Sequence, residues 1–200
     1  MDRFQRLRQA IFDKSLSKAT LFMRAGAIAS PDQATEALNL AASVGYFPVF
    51  KEIANAFASD LEAETIDWAV SAISTNGSPS PEILKYLLES LHVTRFDLSR
   101  SLCYAATSGS LECVRLLVLY GADVNFVNEI SRTTPAENAV RNFHQSVLRE
   151  LLSNGCQVQL ITVFEDVSKT DTELIQEMTL LEFACYIENH DAVSLLRKYK

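Results

Sequence analysis

The chain has 200 residues, 48% hydrophobic and 22% charged, with a formal net charge of −7, the balance of a folded globular protein and not of a disordered or fibrous one. Polar residues break every apolar run well short of the roughly 18 residues a membrane span needs. The acidic balance also argues against nucleic acid, whose binding depends on a basic face.

Residues 1–24 carry Arg3, Arg6, Arg8, Lys14, Lys18 and Arg24 against Asp2 and Asp13, and no apolar signal segment opens the chain. Leu7, Ala10, Leu21, Phe22, Gly26 and Ala27 predict a first pair of helices. "EALNLAASVGYFPVFKEIANAF" (36–57) predicts a second, with Leu38, Ala41 and Ala42 before Gly45. "ETIDWAVSA" (64–72) and "PEILKYLLESL" (81–91) read as a third, its halves joined by the polar Gly/Pro/Ser stretch "ISTNGSPSP" (73–81).

The pattern is clearest in "CYAATSGSLECVRLLVLYGADVN" (103–125). Ala105 and Ala106 are strong helix formers with little bulk, so another helix can approach closely. Gly109 and Gly121 suit the left-handed residue that ends a helix. Between them Arg115 is the lone polar position in 113–120. A helix so apolar is expected to be covered on both flanks. Asp123 and Asn125 supply turn chemistry. "TPAENAVRNFHQSVLRELLSNGC" (134–156) repeats the arrangement, with Ala139 and Gly155 each 34 residues after Ala105 and Gly121. In "VQLITVFEDVSKTDTELIQE" (158–177) the alternation of Val158, Leu160 and Thr162 suits a short strand and 171–177 looks helical, so an ordered extra helix and a protruding loop both stay open. Residues 160–191 hold Glu165, Asp166, Asp171, Glu173, Glu177, Glu182, Glu188 and Asp191 against Lys169. "MTLLEFACYIENHDAVSLLRKYK" (178–200) closes the chain with another pair built on Ala184, Val193, Leu195 and Leu196.

Thr134-Pro135 looks like the opening of the T-P-L-H segment of ankyrin repeats, and Gly121-Ala122-Asp123-Val124-Asn125 matches that family's repeat ending. The resemblance implies an all-α solenoid of stacked helix–turn–helix units joined by short β-turns, forming one domain over 1–200. Six repeats are expected at about 3–33, 34–62, 63–96, 97–129, 130–160 and 175–200, the first and last as caps, with a long insertion at 158–177. The first-helix alanines Ala10, Ala41, Ala69, Ala105, Ala139 and Ala184 lie 31, 28, 36, 34 and 45 residues apart. The T-P-L-H histidine is replaced by Asn39, Asp67, Cys103, Glu137 and Glu182, which predicts a less regular hydrogen-bonded connection between repeats.

Searches for Gly-x-Ser-x-Gly, P-loop, Gly-x-Gly-x-x-Gly and His-Glu-x-x-His patterns find none. His92, His144 and His190 fall in different repeats, each without a second His or Cys at metal-ligand spacing. His144 stands where ankyrin repeats often carry a structural histidine. Cys103, Cys113, Cys156 and Cys185 share no Cys-x-x-Cys spacing and are expected to be reduced and buried. These features point to a cytoplasmic chain, with delivery into a host cell a further reading if the source is bacterial.

The resemblance further implies a non-catalytic protein–protein interaction module, without cofactor or metal, that binds a protein partner on its concave face. Adaptor, inhibitor, and bacterial effector or immunity protein are all open as its type. In the family the contact surface comprises turn tips and first-helix ends. Carried over residue by residue, the tips are Phe96, Asp97, Ser99, Phe126, Ser131, Arg132 and Thr133. The helix ends are Thr107, Ser108, Arg141, Asn142 and Tyr186, with Phe143 in place of a helix-ending Gly. Arg132 and Arg141 are expected to meet a partner's carboxylates. Asn125, at the repeat-ending position, is a candidate for asparaginyl hydroxylation. The alternative function is the targeting arm of a larger enzyme whose catalytic domain lies outside these residues. A self-associating scaffold is a third reading, and a monomer is the expected state.

Overall fold

The computed structural model describes residues 2–57, 80–90, 95–158, 160–165 and 174–199. The contacts divide the chain into two compact units, Met1–Ser101 and Leu102–Lys200.

In the N-terminal unit, α1 (Arg3–Phe12) starts where the Asp2 carboxylate accepts the Gln5 N–H at 2.7 Å. It buries Leu7, Ala10 and Ile11 and is followed by α2 (Leu16–Arg24). The next pair is α3 (Pro31–Val44) and α4 (Phe47–Ala56). Ser30 caps α3 through the Gln33 N–H, and Pro31 fills the first helical position, where its missing N–H costs nothing. The buried face of α3 is Ala34, Ala37, Leu38, Ala41 and Ala42, a smooth surface that lets α1 and α4 approach. The buried face of α4, Val49, Phe50, Ile53 and Ala54, supplies the bulk. Helix α5 (Pro81–Ser90) packs on α4, with Tyr86 edge-on to Phe47 and Phe50 and its hydroxyl 2.8 Å from Asn55 Oδ1. The expected first helix at 64–72, with Ala69 and Asp67, lies outside the described residues.

In the C-terminal unit, α6 (Arg95–Ser108), which begins before the unit boundary, pairs with α7 (Leu111–Leu119), α8 (Pro135–Arg141) with α9 (Gln145–Ser153), and α10 (Leu180–Tyr186) with α11 (His190–Leu196). First helices α8 and α10 pack side by side, and so do second helices α7, α9 and α11. Between α9 and α10 stands an antiparallel hairpin, β1 (Leu160–Glu165) and β2 (Leu174–Thr179), in the register Leu160↔Thr179 to Glu165↔Leu174.

One turn recurs in five pairs. The N–H groups of Ser15, Tyr46, Ser110, His144 and Asn189 donate to the carbonyls of Ala10, Ala41, Ala105, Ala139 and Ala184 at 2.8–3.1 Å. The residue before each donor, Lys14, Gly45, Gly109, Phe143 or Glu188, has a φ of 50–75°. This is the Schellman closure, in which a left-handed residue returns the chain to a carbonyl left open at the helix end. The alanine spacing therefore marks a backbone joint as well as a close contact, and each of these alanines is at most 2% exposed.

Four expectations are corrected. Residues 174–177 are strand, because β1 provides a pairing partner that local periodicity does not reveal. Phe96, Asp97 and Ser99 lie within α6, not at a turn tip, and Ser99 is buried. No Pro or Gly interrupts 95–108, and Leu98, Leu102, Ala105 and Ala106 repeat at helical spacing and are all buried. Helix α7 is not covered all round: it buries Cys113, Val114 and Leu117 and half-buries Leu116 and Val118 beside them, whereas Leu119 is 77% exposed on its outward face. Cys103, Cys113 and Cys156 are buried free thiols as expected, but Cys185 is exposed, since α10 buries Leu180, Phe183 and Ala184.

Candidate protein-interaction surface

The turn before α8 is built by short polar side chains. Asn125 donates from Nδ2 to Gly155 O at 3.3 Å and accepts the Gln157 N–H on Oδ1 at 2.8 Å, tying one repeat ending to the next. Its own N–H reaches Asp123 Oδ1 at 2.9 Å. Asn128 is 3% exposed and folds the tip: Oδ1 accepts the N–H groups of Ile130 and Ser131 at 2.9 and 3.1 Å. Backbone bonds Asn128 N–H to Thr133 O and Arg132 N–H to Asn128 O close the loop, and Arg132 takes a φ of 55°. Ser131 and Thr133 hydroxyls pair at 2.8 Å. Ile130, 86% exposed, stands at the end of this braced turn beside exposed Ser131 and Arg132. Phe126 is half-buried at its base.

Thr134 then caps α8, accepting the Glu137 N–H at 3.1 Å. Glu137 occupies the missing-histidine position and is fully buried, with its carboxylate accepting from the Arg141 guanidinium at 2.7 Å. Burial raises its pKa above the ordinary carboxylate value, and the Arg141 contacts and the Thr134 backbone bond pull the other way. Arg141 also lies 4.8 Å over the Phe183 ring on α10. The other histidine substitutes behave differently. Glu182 forms a reciprocal capping box with Thr179, whose N–H it accepts at 2.7 Å. Cys103 points its thiol at Thr133 O, 4.0 Å away. Asn39 Oδ1 is buried without a hydrogen-bond partner among the described residues. The expected irregularity between repeats is thus four distinct local solutions. Burial, followed by the nearby Glu137 charge, pushes the Cys103 thiol up to about 12, and burial alone pushes Cys156 up to about 11. Both thiols stay protonated and unreactive at neutral pH.

The first-helix ends lie on α6, α8 and α10. Thr107 is exposed and Ser108 half-buried, and their hydroxyls donate back to Cys103 O and Ala105 O at 2.9 and 3.2 Å. Asn142 likewise donates to Asn138 O at 2.8 Å, so the helix carbonyls are satisfied locally. Phe143 and Tyr186 are 58% and 57% exposed. His144 makes the structural contact its position suggests, with Nε2 3.0 Å from Thr107 O. In the following repeat Asn189 takes this role, donating to Val140 O at 2.8 Å from a buried site.

Of the sequence-predicted positions, the C-terminal unit exposes Thr107, Ser131, Arg132, Arg141, Asn142, Phe143 and Tyr186 and half-buries Ser108, Phe126 and Thr133, whereas Ser99, just before the unit boundary, is buried. Phe96 and Asp97 fall in the first turn of α6. Arg141 is not a free cation, since Glu137 already holds it. Sequence reasoning missed Ile130 and Asn128. An Asn two and three residues ahead of the N–H groups it accepts is an Asx-turn signal that could have identified the tip. It also missed an open groove of about 410 Å³ in the N-terminal unit, lined by Gln5, Arg8, Gln9, Phe12 and Leu40.

Residues 68–162 match the family model for ankyrin repeats, in three copies. The chain is similar to the ankyrin repeat and KH domain-containing protein mask-1 of Caenorhabditis elegans, 31% identical over 170 residues. That alignment covers 84% of this chain and 6% of the relative, so the chain spans a small fraction of the relative's length. Residues 68–162 are thus ankyrin repeats, and the similarity to the relative runs over most of the chain. Its fold is all-α ankyrin repeats with one inserted hairpin, and such domains are in general protein-interaction modules without catalysis of their own.

Proposed function

We propose that the C-terminal unit is a non-catalytic recognition surface for a protein partner, formed by the turn tip at 129–133 and the first-helix ends Thr107, Arg141, Asn142, Phe143 and Tyr186. The observation that carries this reading is Phe143. It holds a φ of 61° in a turn whose equivalents use Gly45, Gly109, Lys14 and Glu188, and it is the one aromatic among these five, with more than half its surface in solvent. A left-handed conformation costs a non-glycine residue about 1–2 kcal/mol, and so exposed a ring recovers little of that by packing. An aromatic ring kept in solvent at such a turn supports the reading of a binding anchor. Ile130 supplies a second apolar anchor and Arg132 a charged one. The four free cysteines support work in a reducing compartment such as the cytoplasm, and the surface as described serves a monomer.

Affinity capture from the native lysate tests the reading. Wild type is compared with Arg132→Glu, Ile130→Asp and Phe143→Ala, each first shown to be folded by circular dichroism. A partner retained by wild type and weakened about tenfold or more by each variant supports the surface. Equal recovery by all four proteins refutes it. The alternative, a targeting arm of a longer protein, is favoured by the relative's far greater length. The reading frame of the native gene decides it.

A further inference from the structure

The family match ends at residue 162, so most of the β1–β2 hairpin stands outside the matched repeats. A two-stranded hairpin is marginal in water unless a further strand or a helix packs on it.

Among the described residues no third strand pairs with the hairpin, and the backbone shows which groups line the outer edge of β1. The Thr179 N–H donates to Glu182 Oε2 at 2.7 Å, so it points away from β1. In an antiparallel ladder the side to which N–H and C=O point alternates with each residue. Glu177 and Ile175 therefore also face away from β1. Opposite these residues lie Leu160, Thr162 and Phe164, whose N–H and C=O groups line the outer edge of β1. That edge, in the sequence LITVFE, has none of the Pro or Lys residues that blunt edge strands. The β2 edge is already engaged at Thr179 by Glu182. Charge selects the occupant: the two strands carry Glu165 and Glu177 and no Lys, Arg or His. A second copy of this chain would bring the same acidic strands to the edge and be repelled.

We infer that the outer edge of β1 takes an extended, basic segment of a protein partner as a third strand. The inference stands apart from the surface around Phe143, and its test uses a peptide that reads the strand edge alone.

The full chain is titrated into a fluorescein-labelled peptide of alternating Lys and Val, and into one of alternating Lys and Pro with the same charge. The Lys-Val peptide binds saturably, more weakly at higher salt, and about tenfold or more tighter than the Lys-Pro peptide, which cannot donate ladder hydrogen bonds from alternate residues. Thr162→Pro removes an outward N–H while leaving the β1–β2 bonds intact, and it abolishes the preference for Lys-Val. Hydrogen exchange of the wild-type complex shows new protection at the amides of Leu160, Thr162 and Phe164, a readout independent of whether the variant folds. Equal binding of the two peptides, or unchanged exchange at those amides, overturns the inference in favour of simple charge attraction. Dimerisation of the free chain that Thr162→Pro abolishes, without peptide binding, gives the edge to a second copy and also overturns it.

Discussion

Replacing Gly109 by Ala tests how the repeats of the C-terminal unit are fastened. Gly109 has a φ of +75°, and a Cβ there would lie 2.5 Å from His144 Cε1 and Nδ1 and 2.9 Å from Cγ. The left-handed backbone alone costs alanine about 1–2 kcal/mol. The ring must also withdraw, which breaks the 3.0 Å contact between His144 Nε2 and Thr107 O. Losing that bond adds about 0.5–1.5 kcal/mol, for a total of about 1.5–3.5 kcal/mol. Gly155→Ala is the control: its φ is +84° and its Cβ meets nothing within 4 Å, so it carries the backbone cost without the clash. Any gain from restricting the unfolded chain is common to both variants and cancels in the comparison. Urea denaturation followed by far-ultraviolet circular dichroism measures each. Gly109→Ala should be the more destabilising by about 1 kcal/mol, and that excess should vanish in a His144→Ala background. Equal costs for the two glycines, or an excess that survives removal of the imidazole, would refute the claim that His144 packed over Gly109 fastens one repeat to the next.

Phe143→Gly should raise stability by about 0.5–1 kcal/mol, as relief of the left-handed strain exceeds glycine's added unfolded-state freedom, while weakening partner capture. Thermal melting and capture from the same preparations check the opposed signs. Glu137→Gln should stabilise the protein at neutral pH, because burial raises the folded carboxyl's pKa above the ordinary carboxylate value and the ionised form is the disfavoured one. Protonation of wild-type Glu137 favours folding fully below the unfolded pKa, and that benefit is lost as pH rises through the folded value. The advantage of Gln should therefore shrink as pH falls through this window, which melting temperatures across mildly acidic pH will show. Iodoacetamide at mildly alkaline pH should modify Cys185 in the native protein and spare Cys103 and Cys156, whose buried thiols are pushed up to about 12 and about 11, until denaturant is added. Mass spectrometry of the digest reads the order.

The repeat was legible because its signals are local. Alanine at the close contact and a left-handed residue four positions later sit within one helix turn of each other, and each has a backbone reason. The same logic identifies Phe143 as a substitute for glycine, and its φ is 61°. Legibility failed where a distant segment decides the outcome. Residues 174–177 look helical until β1 is laid beside them. Residues 95–99 look like a turn by alignment to the repeat, yet the buried Leu98–Leu102 stripe extends the helix back through them. The exposed tip at Ile130 went unread because its architect, Asn128, acts through two hydrogen bonds to backbone, which leave no hydrophobic period in the sequence.

The two arginines singled out from sequence separate on the same ground. Arg141 is bound to a buried carboxylate and lies over a ring of the next repeat, so reversing its charge leaves Glu137 buried beside a second negative charge. Leaving the buried carboxylate without its half-exposed partner costs about 1–3 kcal/mol, enough to confuse unfolding with lost binding. Arg132 is exposed, and no ion pair engages it among the described residues. Its left-handed φ of 55° is set by the loop that Asn128 closes. Charge reversal there should leave the melting temperature unchanged, so any loss of partner reports on the surface itself. A marked fall in melting temperature for Arg132→Glu would mean that the tip is held by its arginine and not by Asn128, and the case for a free charged anchor would fail with it.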